Sequence, residues 1–406
     1  MPVVVFVLAA AVFAQGTSEF MFSGLLAPIA ADIGVSIGAA GLLTSLFALG
    51  MIIGAPLMAM TAGRWSTRRA LAGFLLAFLA AHVIGACTTS FAILLITRAV
   101  AAIANAGFLA VTLAALPALV GNARVGRATS SVLAGVTLAC IVGVPAGTLL
   151  GQIWGWQSAL WAVVVVGLPA LAATWRLVPP TGSPGGAESA LDPLRHEWRA
   201  LGDRAVRTVL CCGALVNGAT FAAFTYLGVL VTDAGHAAPQ WIPVALALFG
   251  IGSFLGVTAA GRYADRYAHP IVTVGAGALV PVWVATACAA RWLPSLLAMT
   301  LVAGVVSFAV GSTVIGLIVR TAAATAPRLG GAMATTAFNV GAAVGPAAAG
   351  LAIGAAGAAT AAVWISAVLS SVAAVTILLA RRRQRREVHD GTDRPVDNTV
   401  RAGYEN

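Results

Sequence analysis

The chain has 406 residues, of which 60% are hydrophobic and only 9% charged. Soluble domains carry about 25% charged residues, so this composition excludes a water-soluble globular protein and predicts an all-α integral membrane protein. The net charge of +10 serves nucleic acid, lipid or membrane topology depending on where the basic residues fall, and every one of them is arginine.

The first apolar run covers 3–27. No basic residue precedes it and it outlasts a signal-peptide core, so it is read as a membrane span. Eleven more follow at 38–60, 70–90, 91–119, 127–151, 158–178, 205–232, 239–260, 270–290, 294–319, 330–355 and 358–380. At 1.5 Å per residue, runs of roughly 20 residues cross the hydrocarbon, which gives twelve transmembrane helices.

Arginines gather in alternate connections. Arg64, Arg68 and Arg69 follow span two, and Arg124 and Arg127 follow span four. Arg176, Arg195, Arg199, Arg204 and Arg207 surround the break after span six. Arg262 and Arg266 follow span eight, Arg320 and Arg328 span ten, and Arg381, Arg382, Arg383, Arg385 and Arg386 span twelve. The intervening loops hold Asp32, Asp233, His236 and Arg291. The positive-inside rule then predicts a multi-pass membrane protein with both termini cytoplasmic. The charge is topological, and a nucleic-acid partner is not expected.

The longest break divides the spans six and six. The expected organisation is an N-terminal six-helix bundle at 1–178, a cytoplasmic linker at 179–204, a C-terminal six-helix bundle at 205–380 and a disordered cytoplasmic tail at 381–406. The tail's arginines act as a stop-transfer anchor or hold anionic lipid headgroups. Cys87, Cys140, Cys211, Cys212 and Cys288 all lie in apolar runs, with neither disulfide nor metal spacing, and read as small buried hydrophobes. No clustered nucleophile or metal set suggests an enzyme. No phosphate-binding loop suggests ATP, so no cofactor is expected and an ion gradient is the expected energy source.

Gly261-Arg262-Tyr263-Ala264-Asp265-Arg266 after span eight is similar to Gly-x-x-x-Asp-Arg-x-Gly-Arg-Arg, the cytoplasmic loop signature of the major facilitator superfamily. The copy after span two has Arg64 and Arg68 but Gly63 where the aspartate belongs. In the family this loop latches one conformation, so the resemblance implies gating roles for Arg64, Arg68, Gly261, Asp265 and Arg266. Span five carries Gly135, Gly143, Pro145 and Gly147, which resembles the family's antiporter motif. Taken alone, the same pattern is a generic small-residue packing face. Asn339-Val340-Gly341, Gly345-Pro346 and Gly350 repeat the theme in span eleven.

The run Gln15-Gly16-Thr17-Ser18-Glu19-Phe20-Met21, with Gly41-Leu42-Leu43-Thr44-Ser45 and Gly50-Met51-Ile52-Ile53-Gly54, resembles the twelve-span drug–proton antiporters. Asn105-Ala106-Gly107-Phe108 and Trp154-Gly155-Trp156 resemble the chloramphenicol-resistance exporters within that branch. The resemblance implies the major facilitator fold, two pseudo-symmetric six-helix bundles, and a monomer that exchanges a small neutral amphipathic drug for protons by alternating access. Efflux of sugars or nucleosides is the alternative within the superfamily.

Glu19 is the residue such a mechanism needs. A carboxylate inside an apolar span costs several kcal/mol on any scale and marks a functional site. Gln15, Glu19 and Ser23 share one helix face, with Phe22 beside them. Arg98 in span four matches the position of an arginine that the family links to proton transfer. Counting residues puts Glu19 about 12 Å and Arg98 about 10 Å below the outer surface. The geometry therefore allows a Glu19–Arg98 pair, or a water site shared by the two, for proton coupling; the alternative is a static ion pair that only pins two helices. Asp32 is the second candidate acid, in a loop. The substrate cavity is expected to use Gln15, Phe22, Asn105, Thr112, Asn217, Phe221, Phe224 and Asn339, although each amide can instead bond helix to helix. His82 reads as a packing histidine. Trp154, Trp156 and Trp241 read as interfacial anchors.

Overall fold

The computed structural model describes residues 1–61, 65–180, 201–323, 326 and 329–392, without the side chains of 55–61, 122, 265 and 383–392. Arg64, the side chain of Asp265, most of the expected linker and the end of the tail lie outside the described residues. Among the described residues, all regular structure is helical, in fourteen α-helices. They are α1 Val3–Phe20, α2 Phe22–Ile33, α3 Ile37–Thr61, α4 Thr67–Cys87, α5 Phe91–Val120, α6 Val125–Leu138, α7 Val144–Trp154 and α8 Trp156–Leu177. The second half contributes α9 Arg204–Thr225, α10 Leu227–Asp233, α11 Trp241–Ala289, α12 Leu293–Ala322, α13 Gly330–Ala356 and α14 Thr360–Thr392.

These helices supply twelve segments long and apolar enough to cross a membrane. Spans one and seven are each built from two helices, α1–α2 and α9–α10, jointed at Met21 and Tyr226. Span five joins α6 to α7 through a π-helical turn at Ala139–Gly143. The turn immediately precedes Pro145, whose missing N–H disturbs the regular ladder there.

The structure alters two boundaries. Span one does not end at residue 27: α2 continues to Ile33 and stops where Gly34 adopts φ 76°, a conformation that suits glycine. Asp32 therefore sits in a last helical turn, not a loop. Spans eight and nine run as one helix, α11, interrupted by the non-helical backbone of Tyr267 at φ −125°, ψ 25°. The Gly261–Arg266 stretch keeps its helical hydrogen bonds, so the expected loop is a single kinked residue.

Arg68, Arg69, Arg124, Arg127, Arg176, Arg204, Arg207, Arg262, Arg266 and Arg320 all fall at one end of the spans, here called the basic face; the opposite end is the neutral face. At the neutral face Trp154 is exposed, but Trp156 is only 2% exposed. Its indole Nε1 donates to Asp32 Oδ2 at 2.8 Å, so Trp156 is a helix-joining residue, not an interfacial anchor.

Glycines set the helix crossings, and the two halves use the same crossings. In the first half a Cβ on Gly135 of span five would lie 2.5 Å from Ala9 O of span one, and one on Gly143 would strike Thr17. In the second, Gly341 and Gly345 of span eleven meet Ala214 and Gly218 of span seven. Spans two and four touch through Gly50 and Gly54 at Ala102 and Ile103, and spans eight and ten through Gly252 and Gly256 at Leu301 and Val305. Small residues at such crossings let backbones approach where bulkier side chains would separate them.

Other close crossings join the halves. Gly38 of span two lies on Gly350 of span eleven, and Gly250 of span eight lies on Cys140 of span five. Ala48 packs with Ala342 and Ala343. At the neutral face Gln152 Nε2 donates to Pro239 O at 2.7 Å. These contacts run from the middle of the bundle to the neutral face, which is closed in this conformation.

Candidate functional site

Glu19 lies in the last turn of α1, two residues before the joint at Met21. Asn105 Nδ2 of span four donates to its Oε2 at 3.4 Å. A Glu19–Arg98 pair does not form. Arg98 is 2% exposed and donates from Nη1 to Ser18 Oγ at 3.0 Å. Its guanidinium lies over the rings of Phe22 and Phe47, 4.1 and 4.2 Å from their centroids. A cation between two aromatic faces is held by their quadrupoles, worth ~2 kcal/mol or more when desolvated. Arg98 Nε and Nη2 have no hydrogen-bond partner.

Ser18 also contacts His82 Nε2 of span three at 2.5 Å, and His82 Nδ1 lies 2.7 Å from Phe78 O. Nothing in the residue pattern joins Ser18 or His82 to Arg98. The available signal was weak: Ser18 is adjacent to Glu19, and His82 is a histidine inside an apolar span. Gln15, one turn before Glu19, is 1% exposed with neither amide atom paired. Thr112 is likewise buried with its hydroxyl unpaired. Ser23, on the same stripe, bonds back to Phe20 O at 2.7 Å.

Phe20, next to Glu19, points to the other half. Its ring lies 5.9 Å from Phe221 and 6.2 Å from Phe224 of span seven. The cluster continues through Phe249 of span eight, 4.8 Å from Phe224, to Phe308 of span ten, 6.0 Å farther. Cys140, Thr220 and Ser253 complete the lining of a cavity of about 10 Å³. That is far below the ~300–1,000 Å³ of a drug-sized pocket, so the aromatic surfaces are closed on one another here.

Of the expected cavity residues, the structure groups Asn105 with Glu19, and Phe221 with Phe224. Phe22 is fully buried beneath Arg98, where it shapes the arginine's berth and presents no face to a solute. Asn217 Nδ2 donates to Phe338 O across spans seven and eleven at 2.7 Å, so it joins helices. Asn339 Nδ2 bonds Thr335 O of its own helix at 3.0 Å. The aromatic patch is therefore larger than expected, with Phe20, Phe249 and Phe308 added. The amide contribution at this closed stage is smaller.

The span-five motif lies at the centre of this arrangement. Gly143 abuts Thr17, one turn before the joint in span one, while the Cys140 carbonyl in the π-turn abuts Gly250. A Cβ on Gly147 would lie 3.5 Å from Met21 Sδ. Pro145 follows the π-turn as the second residue of α7. At the basic face Arg68 Nε donates to Val178 O at 2.6 Å, tying span three to the end of span six. Arg266 lies over Tyr267, 5.6 Å from its centroid. Gly261 has open space where a side chain would stand.

A family model described as the Major Facilitator Superfamily matches residues 8–336. A chloramphenicol resistance protein of Streptomyces lividans is 47% identical over 373 residues, covering 92% of this chain and 95% of the relative. The inner membrane transport protein YdhP of Escherichia coli K12 is 29% identical over 377 residues, covering 93% and 95%. Among solved structures, a bacterial homologue of the human lysosomal transporter Spinster, inward-facing and unoccupied, aligns with a TM-score of 0.78 at 16% identity, over 93% of this chain and 96% of that one. The nucleoside transporter NupG also aligns with a TM-score of 0.78, at 13% identity, over 93% and 99%. These two structures bear on the fold alone.

Proposed function

The chain belongs to the major facilitator superfamily, and from that membership we propose that this transporter exports a small neutral amphipathic drug in exchange for protons, with phenicols of the chloramphenicol type as its substrates. The observation that carries the reading is the adjacency of Glu19 and Phe20. One residue places a carboxylate against Asn105, and the next places a ring in the aromatic patch of the opposite half. A proton arriving at Glu19 and a solute parting the phenylalanines both act on the same turn of span one. The name of the Streptomyces relative supports the substrate class. The patch is phenylalanine-rich, which suits an aromatic drug better than a sugar or nucleoside.

In this reading the basic face is cytoplasmic, as the positive-inside rule requires, and both termini lie in the cytoplasm of a bacterial plasma membrane. The bundles 1–178 and 205–380 rock about the joints at Met21 and Tyr226 and the glycine crossings between them. The protein acts as a monomer without a cofactor, and the proton gradient supplies the energy. The arginines of the basic face, with Asp265, would gate the cytoplasmic side.

The test is chloramphenicol susceptibility of a sensitive bacterial host expressing the chain, with and without a protonophore. The expected result is raised tolerance that disappears with the protonophore and with Glu19→Gln. Tolerance that is unchanged at good expression, or that survives Glu19→Gln with its pH response intact, overturns the reading.

A further inference from the structure

Ser18 and Glu19 are neighbours on one helix, about 100° apart around its axis, and they hold different partners on span four. Ser18 takes Arg98, and Glu19 takes Asn105. The hydrogen-bond chain behind Ser18 has a fixed direction. The Phe78 carbonyl can only accept, so His82 Nδ1 carries a hydrogen. Arg98 Nη1 can only donate, so Ser18 Oγ accepts there and has its own hydrogen left for His82 Nε2. A hydroxyl has one hydrogen and two acceptor positions, and this arrangement satisfies Ser18 only while Nε2 is an acceptor, in a neutral imidazole.

Arg98 is held short of its capacity. Nε and Nη2 are buried without a partner, an arrangement that costs free energy and leaves two donors available to an oxygen acceptor. Phe22 and Phe47 fix the guanidinium's plane. Glu19 forms no ion pair with Arg98, and its one hydrogen bond is a long one. The other titratable side chains facing this group are His82 on span three and Cys140 on span five. The second half contributes phenylalanines and hydroxyls there.

We propose that Ser18 and His82 form a latch that holds Arg98 off the Glu19 carboxylate in this conformation, making His82 a positioning residue that acts through Ser18. With the latch closed, Glu19 keeps its proton. With the latch open, Arg98 brings its vacant donors to the carboxylate and the proton leaves. This rests on the reading of Glu19 as the proton carrier.

The test uses the purified full chain in liposomes, with chloramphenicol transport followed as a function of pH. Ser18→Ala and His82→Leu remove the latch and allow the guanidinium to reach Glu19. An opposite charge at contact favours the charged carboxylate by ~1 unit or more, so the pH midpoint of transport should move down by about that amount in both. Ser18→Thr keeps a hydroxyl and His82→Gln keeps an acceptor, so both should retain the wild-type midpoint. If Ser18→Ala does not insert, the His82→Leu and His82→Gln pair decides the matter alone. Midpoints that stay in place while rates fall would make the network a packing feature and overturn the latch. A wild-type protein that transports without any pH response would instead bring down the proton reading, and the latch with it.

Discussion

Gly38 of span two and Gly350 of span eleven meet backbone to backbone, so that a Cβ on Gly38 would stand 2.6 Å from the Gly350 carbonyl oxygen. Tyr226, at the joint of span seven, fills the next space: its hydroxyl donates to Pro346 O at 3.0 Å and lies against Gly41. Backbone contact and one tyrosine thus seal this part of the neutral face. The obstacle to a side chain here is main chain, which cannot swing aside.

Gly38→Val should therefore disfavour the conformation described here. Overpacking costs ~1–3 kcal/mol, and each 1.4 kcal/mol is about tenfold in a two-state equilibrium. The expected outcome is an inserted protein with export reduced roughly tenfold or more. A cysteine placed beside Trp241 should be labelled faster by a membrane-impermeant maleimide, because the neutral face spends longer open. Normal export together with unchanged labelling would show that the crossing tolerates separation.

The aromatic patch yields a substrate prediction. Phe221 and Phe224 are packed against Phe20 and against each other, with centroids 6.0 Å apart. Phe224→Ala removes a ring that also supports Phe249, and loss of a buried phenylalanine costs ~3–5 kcal/mol in a well-packed site. Phe221 is only half-buried, so Phe221→Ala should be the gentler change. Phe221→Ala should leave the protein inserted while weakening tolerance to chloramphenicol several-fold and shifting preference toward bulkier phenicols. Dose–response curves for a series of phenicols of graded size provide the measurement. An unchanged series would place the solute elsewhere.

Much of this was legible in the sequence because lipid imposes a simple pattern. Apolar runs of span length give twelve helices without reference to packing. The limits arose where packing overrides length. Asp32 was expected in a loop beyond a span ending at 27, yet Trp156 and Gln157 supply donors to Asp32 and the helix continues. The charged Gly261–Arg266 stretch looked like a loop, but nothing in it breaks a helix before Tyr267. Phe22 and Ser18 bring span one to Arg98. Which neighbour the guanidinium would choose depended on Ser18, His82 and two phenyl rings from spans one and two, and helix periodicity alone does not resolve that choice.

Span five invites a stability prediction. Gly135 and Gly143 bring its backbone against Ala9, Phe13 and Thr17 of span one. Gly135→Leu must push the helices apart along the first half's main crossing and should lower the melting temperature in detergent by several degrees or prevent insertion. Gly126, with open space around it, is the control: Gly126→Ala should be neutral or slightly stabilising, since alanine suits a helix better by ~1 kcal/mol. Equal effects at both positions would remove the special role of the crossing.

Asn105 gives a prediction opposite in sign to the latch. It donates to Glu19 and so favours the charged carboxylate. Asn105→Ala removes that donor, and the proton should then be held to higher pH. At 3.4 Å the bond is long, so its worth lies near the low end of a typical hydrogen bond, ~0.5 kcal/mol. At 1.36 kcal/mol per pH unit this corresponds to an upward shift of the transport midpoint of roughly 0.4 unit. The same liposome assay reads both effects: removing Ser18 moves the midpoint down, and removing Asn105 moves it up by less. A double variant should fall between the two if the partners act on one carboxylate independently. A downward shift for Asn105→Ala would mean that Arg98 moves into the vacated space and pairs with Glu19, making Asn105 a second barrier between the two charges.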